Sequence, residues 1–282
     1  VCNLTVGDFS PAEFRIPKVL ENEIAEALGR GETNYPPSNG VAPLRESVRR
    51  FYERALGLKY EASSVLVTSG SRPGIYGTFR TVVDPGDRVV FPVPSWNNNH
   101  YCYLTGAVPV PVATTRDTTF LPTRDLLAPV IRGARLLSLS SPPNRTGPPF
   151  TPEALGEICD LVLEENARRR NGERPLYLMY DQVYWMLTFG DTRHVDPVSL
   201  RPELAPYTIY VDGVSKAFAA TGVRVGWVVA PRDIVESMNN FMGHVGTWAP
   251  RAEQIATARL LDAPDEVSAY QRQITAGLQQ RL

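Results

Sequence analysis

Seven short apolar runs constrain this chain most: Val65–Thr68, Arg88–Phe91, Val108–Val112, Leu136–Leu139, Leu176–Tyr180, Thr208–Val211 and Val225–Val229. Most are near-continuous rather than alternating, the pattern of strands buried on both faces of a largely parallel sheet. Helical signals separate them. Leu44–Leu56 carries apolar residues at helical spacing, and Pro73 opens a segment that runs to Val83 and stops at Asp84-Pro85-Gly86-Asp87. Thr151 is an N-cap candidate with Pro152 behind it, and Asn171-Gly172 reads as the matching stop. The alternation predicts an α/β doubly wound architecture, in which ligands bind beyond the carboxyl ends of the strands.

The rest of the composition narrows the function classes. A chain of 282 residues, 43% apolar and 21% charged, can bury a substantial core. Its 29 basic and 30 acidic residues leave a net charge of −1, with no electrostatic reason to bind nucleic acid or an anionic membrane. No apolar run approaches the ~18 residues of a membrane span, and Val1–Phe9 lacks the pattern of a signal peptide. Cys2, Cys102 and Cys159 are scattered, which argues against a disulfide framework or a structural zinc and for reduced thiols in the cytoplasm. Asn3-Leu4-Thr5 and Asn144-Arg145-Thr146 match the glycosylation pattern and are read as chance. The polar, helical tail from Asp265 has no stop signal before Leu282, which predicts a longer natural chain.

Only three of the 29 basic residues are lysines: Lys18, Lys59 and Lys216. Arginine cannot form a Schiff base and lysine can. Lys18 and Lys59 stand in ordinary surface contexts. Lys216 follows a buried run in the small-residue stretch Asp212-Gly213-Val214-Ser215-Lys216, with Arg224 eight residues on.

The other expected strand ends carry polar and aromatic groups. Ser69-Gly70-Ser71-Arg72-Pro73 is either a plain strand-to-helix turn or a phosphate nest at a helix N-terminus. Trp96 is a core aromatic or a stacking platform for a planar ring, and Asn144 is a turn residue or a hydrogen-bonding group. Asp181, with Tyr184 three residues on, is a helix cap or a half-buried carboxylate in need of a cationic partner. Asn97-Asn98-Asn99-His100 either faces a substrate or is a surface loop. Taken together, an amine, a carboxylate, a flat aromatic, an Asn, a Tyr and a phosphate nest with Arg form the set that pyridoxal 5'-phosphate requires.

In these residues the chain resembles the fold-type I pyridoxal-phosphate enzymes, specifically class I/II aminotransferases of the aspartate/aromatic kind, from about Gly7 to Leu261. The motifs stand in the family's order. Asn34–Gly40 with Leu44-Arg45 is similar to its tyrosine loop, and Ser69–Arg72 to its phosphate turn. Ser95-Trp96 is similar to its stacking aromatic, and Pro142–Gly147 to its P-x-N-P-T-G loop. Asp181–Tyr184 is similar to D-E-x-Y, and Ser215-Lys216 through Gly222-Val223-Arg224 to S-K-x-x-x-x-x-G-x-R. The sequence departs from the pattern at Arg145 for Pro, Gln182 for Glu and Val223 for Trp, and has Gly213 where some members place a phosphate-binding Ser.

The resemblance implies roles. Lys216 forms the Schiff base and shuttles the substrate Cα proton. Asp181 pairs with the ring nitrogen, Asn144 and Tyr184 donate to the ring oxygen, and Trp96 stacks on the ring. Gly70, Ser71, Arg72 and Arg224 hold the phosphate. Gly7 lies against the substrate carboxylate, with Trp96 and Asn144 also on the substrate side. Tyr35 reaches the neighbouring subunit's phosphate, which implies a homodimer with shared sites. The resemblance also implies an N-terminal segment plus large cofactor-binding domain over residues 1–262. Residues 263–282 then begin an interdomain helix toward a small domain outside this chain, which would supply the Arg for the substrate α-carboxylate. The activity expected is amino transfer from an L-amino acid to a 2-oxo acid. A lyase, decarboxylase or synthase on the same fold, or a non-catalytic homologue, is the alternative.

Overall fold

The computed structural model describes residues 7–144, 147–170 and 172–281. Cys2, Asn3–Thr5, Arg145, Thr146 and Asn171, all singled out above, lie outside them. The strands are β1 (Val65–Thr68), β2 (Arg88–Val93), β3 (Val108–Ala113), β4 (Ala134–Ser140), β5 (Tyr177–Asp181), β6 (Thr208–Gly213) and β7 (Gly226–Val229). Before β2 come the helices α1 (Lys18–Gly29), α2 (Ala42–Leu56) and α3 (Ser71–Val82); α4 (Asn98–Thr105), α5 (Arg124–Ile131) and α6 (Pro152–Ala167) precede β5. The short α7 (Pro197–Leu200) and α8 (Val214–Ala217) flank β6, and α9 (Arg232–Val245), α10 (Arg251–Leu261) and α11 (Pro264–Gln279) follow β7.

The strands form one sheet in the order β1-β7-β6-β5-β4-β2-β3. Every pairing is parallel except those of β7, which runs antiparallel to both neighbours. The connection explains the reversal. A parallel return needs a crossover of a dozen or more residues, usually carrying a full helix. Residues 214–225 between β6 and β7 stand at the lower limit of that length and hold only the one-turn α8, with no helix to span the sheet.

Side chains alternate across the sheet into two apolar layers. On β6, Tyr210 joins the layer under α2, α6 and α10, whereas Ile209 and Val211 join the layer under α3, α4 and α9. On β7, Trp227 and Val229 face the first layer and Val228 the second. The result is a helix–sheet–helix sandwich with a sheet buried on both sides, as the continuous apolar runs require.

Three local expectations change. Helix α3 starts at Ser71, so Pro73 is its third residue; its missing N–H falls among the first-turn groups that have no helical acceptor anyway. Helix α6 is capped by Thr151 but ends at Ala167, before Gly172. There Arg169 turns inward and donates to the Ala134 carbonyl at the start of β4. Finally, β3 is a largely exposed edge, and its Pro109 and Pro111 lack the N–H groups that would recruit another strand. Cys102 and Cys159 are buried free thiols. Among the described residues, no helix is long and apolar enough to cross a membrane, and no cluster of side chains could hold a metal ion.

Gly226 is where the sheet fixes the site. A Cβ there would lie 2.4 Å from the Gly70 carbonyl carbon and 2.5 Å from the Ser71 nitrogen. These are backbone atoms that cannot swing aside, so Gly226→Ala must push β7 away from the turn after β1. The expected destabilisation is about 3 kcal/mol, at the upper end for overpacking, readable as a lower urea midpoint.

Candidate active site

A cavity of ≈ 1070 Å³ opens where β1, β2, β4, β5 and β6 end. Because β7 runs backward, its start faces the same opening, and this brings Arg224 there. Of the residues singled out in the sequence, Gly7, Ser71, Arg72, Trp96, Asn144, Asp181, Tyr184, Lys216 and Arg224 line this one space.

Lys216 sits on α8, whose single turn follows β6 directly. Its Nζ donates to the Gly7 carbonyl and stands 5.8 Å from the centre of the Tyr184 ring. Burial lowers its pKa; the Asp8 carboxylate opposes that shift, and Arg224 and Arg72 add to it. The amine is therefore easier to deprotonate than a surface lysine. Lys18, by contrast, is 74% exposed and pairs with Glu21.

Asp181 ends β5 and accepts a hydrogen bond from the Val183 N–H at 3.2 Å. This is a local turn, not the cap of a helix. Among the described residues no Lys or Arg pairs with Asp181. Burial pushes its carboxyl up to about 6. Among the described residues, no side chain supplies the expected cationic partner.

The turn after β1 is framed by two arginines. Arg224 donates to the Thr221 carbonyl at 2.7 Å and to the Ser69 carbonyl at 3.0 Å, and holds φ +59°. Its guanidinium crosses Gly70, where a Cβ would lie 2.1 Å from Arg224 Nη2. Gly70, at φ +81°, provides both the left-handed turn and the room. The Arg72 guanidinium lies 4.6 Å from the centre of the Trp96 ring, a cation–π contact. At Gly213 a side chain is excluded outright, because a Cβ would lie 2.8 Å from both Gly226 Cα and the Val225 carbonyl oxygen.

Tyr35 does not line the cavity. It is 81% exposed and packs edge-on against Trp248, with ring centres 5.2 Å apart.

Two lining residues, Asp8 and Phe120, went unrecognised in the sequence, and Asn98 belongs to a run read there as substrate-facing or surface loop. Asp8 accepts from the Thr221 hydroxyl at 2.5 Å and from its neighbour Phe9 N–H, which holds its carboxyl below the usual range. The contact pins Gly7 over Lys216. Asn98 divides the Asn97–His100 run. It points inward, donating to Ser95 at 3.3 Å and accepting from Ser138 at 2.8 Å, while Asn99 and His100 are exposed. It thereby braces the loop that carries Trp96. Phe120 lines the wall from a left-handed backbone, φ +58°. Only the asparagine run carried a signal, its length. Asp8 and Phe120 depend on contacts distant in sequence.

The family model for aminotransferase class I and II matches residues 1–282, and the chain belongs to that family. It is 31% identical over 275 residues to the aspartate aminotransferase of Geobacillus stearothermophilus, covering 96% of this chain and 66% of the relative. It thus spans just under two thirds of that relative's length. In three dimensions it is similar to the aspartate aminotransferase from Thermus thermophilus solved with maleate, at TM-score 0.90 and 26% identity, covering 99% of this chain and 69% of that one. The aromatic aminotransferase from Pyrococcus horikoshii superposes at TM-score 0.87 and 29% identity, over 95% and 69% of the two chains.

Proposed function

We propose that this chain is the cofactor-binding part of a pyridoxal-phosphate-dependent aminotransferase that moves an amino group from an L-amino acid to a 2-oxo acid. The observation that carries the reading is the meeting of Lys216, Asp181 and two flanking arginines in one cavity, with no Lys or Arg among the described residues paired to Asp181.

The residues fit the cofactor. Asp181 offers a buried carboxyl to a protonated ring nitrogen, and such a partner would offset the burial that raises its pKa. Tyr184 and Asn144 line the same cavity and can donate to the ring oxygen. Trp96 supplies a flat apolar face. Gly70, Ser71, Arg72 and Arg224 surround the start of α3, where backbone N–H groups and the helix dipole favour a phosphate. When bound, the cofactor supplies the electron sink that acidifies the substrate Cα proton. Lys216 Nζ, with its pKa lowered by burial, supplies the nucleophile and then takes that proton and returns it. Gly7, held over Lys216 by Asp8, lies on the substrate side. Tyr35, exposed and clear of its own cavity, would reach the phosphate of a second subunit in a homodimer; its exposure supports that reading. Residues 1–262 are then the N-terminal segment and large domain, and residues 263–282 lead toward a small domain. We place the protein in the cytoplasm.

Product analysis tests the activity. Keto acid formed only when a second 2-oxo acid accepts the amino group supports transamination; ammonia and pyruvate would support a lyase instead. The phosphate site has its own test. Arg224→Ala should weaken pyridoxal-phosphate binding by about 10- to 100-fold, the loss of one or two charge-assisted hydrogen bonds, measured by fluorescence titration of the apo-protein.

A further inference from the structure

Behind the cavity floor lies a fully buried carboxylate that the proposed chemistry does not use. Asp212, at the end of β6 and 1% exposed, precedes Lys216 by four residues. Its Oδ1 accepts from the Gly213 N–H at 2.7 Å. Its Oδ2 accepts from the Trp185 indole N–H at 2.9 Å and from the Tyr52 hydroxyl at 3.1 Å. No Lys or Arg among the described residues bonds to it.

The directions in this network are fixed by chemistry. Indole and amide N–H groups only donate. Tyr52 Oη receives the Trp227 indole N–H at 3.2 Å and the Gln182 side-chain amide at 3.2 Å, so its own proton is left for Asp212. Gln182 Oε1 in turn faces His194 Nε2 at 3.2 Å, while His194 Nδ1 is buried with no partner among the described residues. Burial keeps His194 neutral, its pKa down to about 4, so the proton lies on Nε2. The chain of donors thus runs from His194 through Gln182 and Tyr52 and ends on Asp212. Three donors and no acceptor surround the carboxyl, the environment of an ionised group. Burial, with a smaller push from the neighbouring Asp181 carboxylate, outweighs these donors and raises the carboxyl to about 7.

The network also explains a departure from the family pattern. Gln182 stands where the resembled motif has Glu. A second carboxylate at that buried position would repel Asp212 and lose the amide donor to Tyr52. Gln keeps a single charge in the cluster.

We propose that Asp212 is a positioning residue for the cofactor site: through Trp185 it fixes the 181–185 turn, and with it the Asp181 carboxyl and the Tyr184 hydroxyl that would hold the cofactor ring. The inference rests on the function proposed above. Asp212 holds Trp185, which adjoins Tyr184, and the Trp185 N–H and Gln182 carbonyl close the same turn at 2.9 Å. The charged groups that face Lys216 are Asp8 on the N-terminal segment and Arg224 and Arg72 on the phosphate side. Those facing Asp212 are Asp181 and the polar Tyr52, Trp185 and Trp227.

The test is the pH midpoint of the visible absorption band of the protein loaded with pyridoxal phosphate, in wild type, Asp212→Asn and Tyr52→Phe. Asp212→Asn, which puts an amide where Trp185 and Tyr52 find an acceptor, should loosen the turn that carries Asp181 and Tyr184 and shift the midpoint by about one pH unit, a tenfold change in proton affinity. Tyr52→Phe, which removes one donor, should shift it less. A merely structural role would reduce the unfolding temperature and leave the midpoint where it is. An unchanged midpoint in folded Asp212→Asn overturns the inference; if that variant does not fold, an unchanged midpoint in Tyr52→Phe does so. If the wild type shows no band, the cofactor reading itself fails and this inference falls with it. A wild-type band that titrates identically in the variants sinks only the role of Asp212.

Discussion

Lys216→Ala should abolish turnover, with a loss of about 10⁴-fold or more, because one amine serves as both nucleophile and proton carrier. The visible band expected when pyridoxal phosphate joins the wild type should not form in the variant. Folding should survive the change. Among the described residues Lys216 makes one hydrogen bond, to the Gly7 carbonyl, and its ammonium is partly desolvated. Circular dichroism and the urea midpoint of the apo-variant should therefore match wild type within about 1 kcal/mol. Normal activity in a folded Lys216→Ala protein would contradict the assignment.

Asp181→Asn should move stability and function in opposite directions. In the apo-protein Asp181 is a buried carboxyl with its folded pKa raised from 3.8 to about 6. Between those values the folded state binds more protons than the unfolded one, so stability falls as pH rises from about 4 to about 6. The neutral amide removes that penalty. The apo-variant should be about 1–2 kcal/mol more stable than wild type at pH 7 and equal to it near pH 4. Turnover should fall by about 10³-fold, since an amide does not hold a positive charge at the ring nitrogen as a carboxylate does. Urea melts at the two pH values and steady-state rates check both halves. A variant less stable than wild type at pH 7 would mean that Asp181 is satisfied within its own chain.

Much of this architecture was legible because buried parallel strands write themselves as apolar runs. β4, β5 and β6 sit where the runs at Leu136, Leu176 and Thr208 lie, shifted by a few residues at their ends. Lys216 was legible for a different reason. In a chain that uses arginine almost throughout, a lysine after a buried strand is conspicuous. What escaped depends on contacts between distant segments. The run at Val108 gives no sign that β3 is an edge, although Pro109 and Pro111 fit one. The reversal of β7 goes with a 214–225 connection that carries no crossover helix, which apolar periodicity does not report. Gly226 looks like any strand glycine until β7 meets the turn at Gly70. Asp212 reads as an ordinary strand-end acid, and only the fold gathers Tyr52, Trp185 and Trp227 around it.

The most direct test of the central claim is an absorption spectrum of the full-length protein mixed with pyridoxal phosphate, before and after adding a panel of L-amino acids. The account predicts a visible band that collapses to the pyridoxamine form with particular donors. A band that forms and never converts would contradict transamination and favour a lyase, a decarboxylase or a sensor. No band at all would contradict the assignment of Lys216, and with it the proposed function.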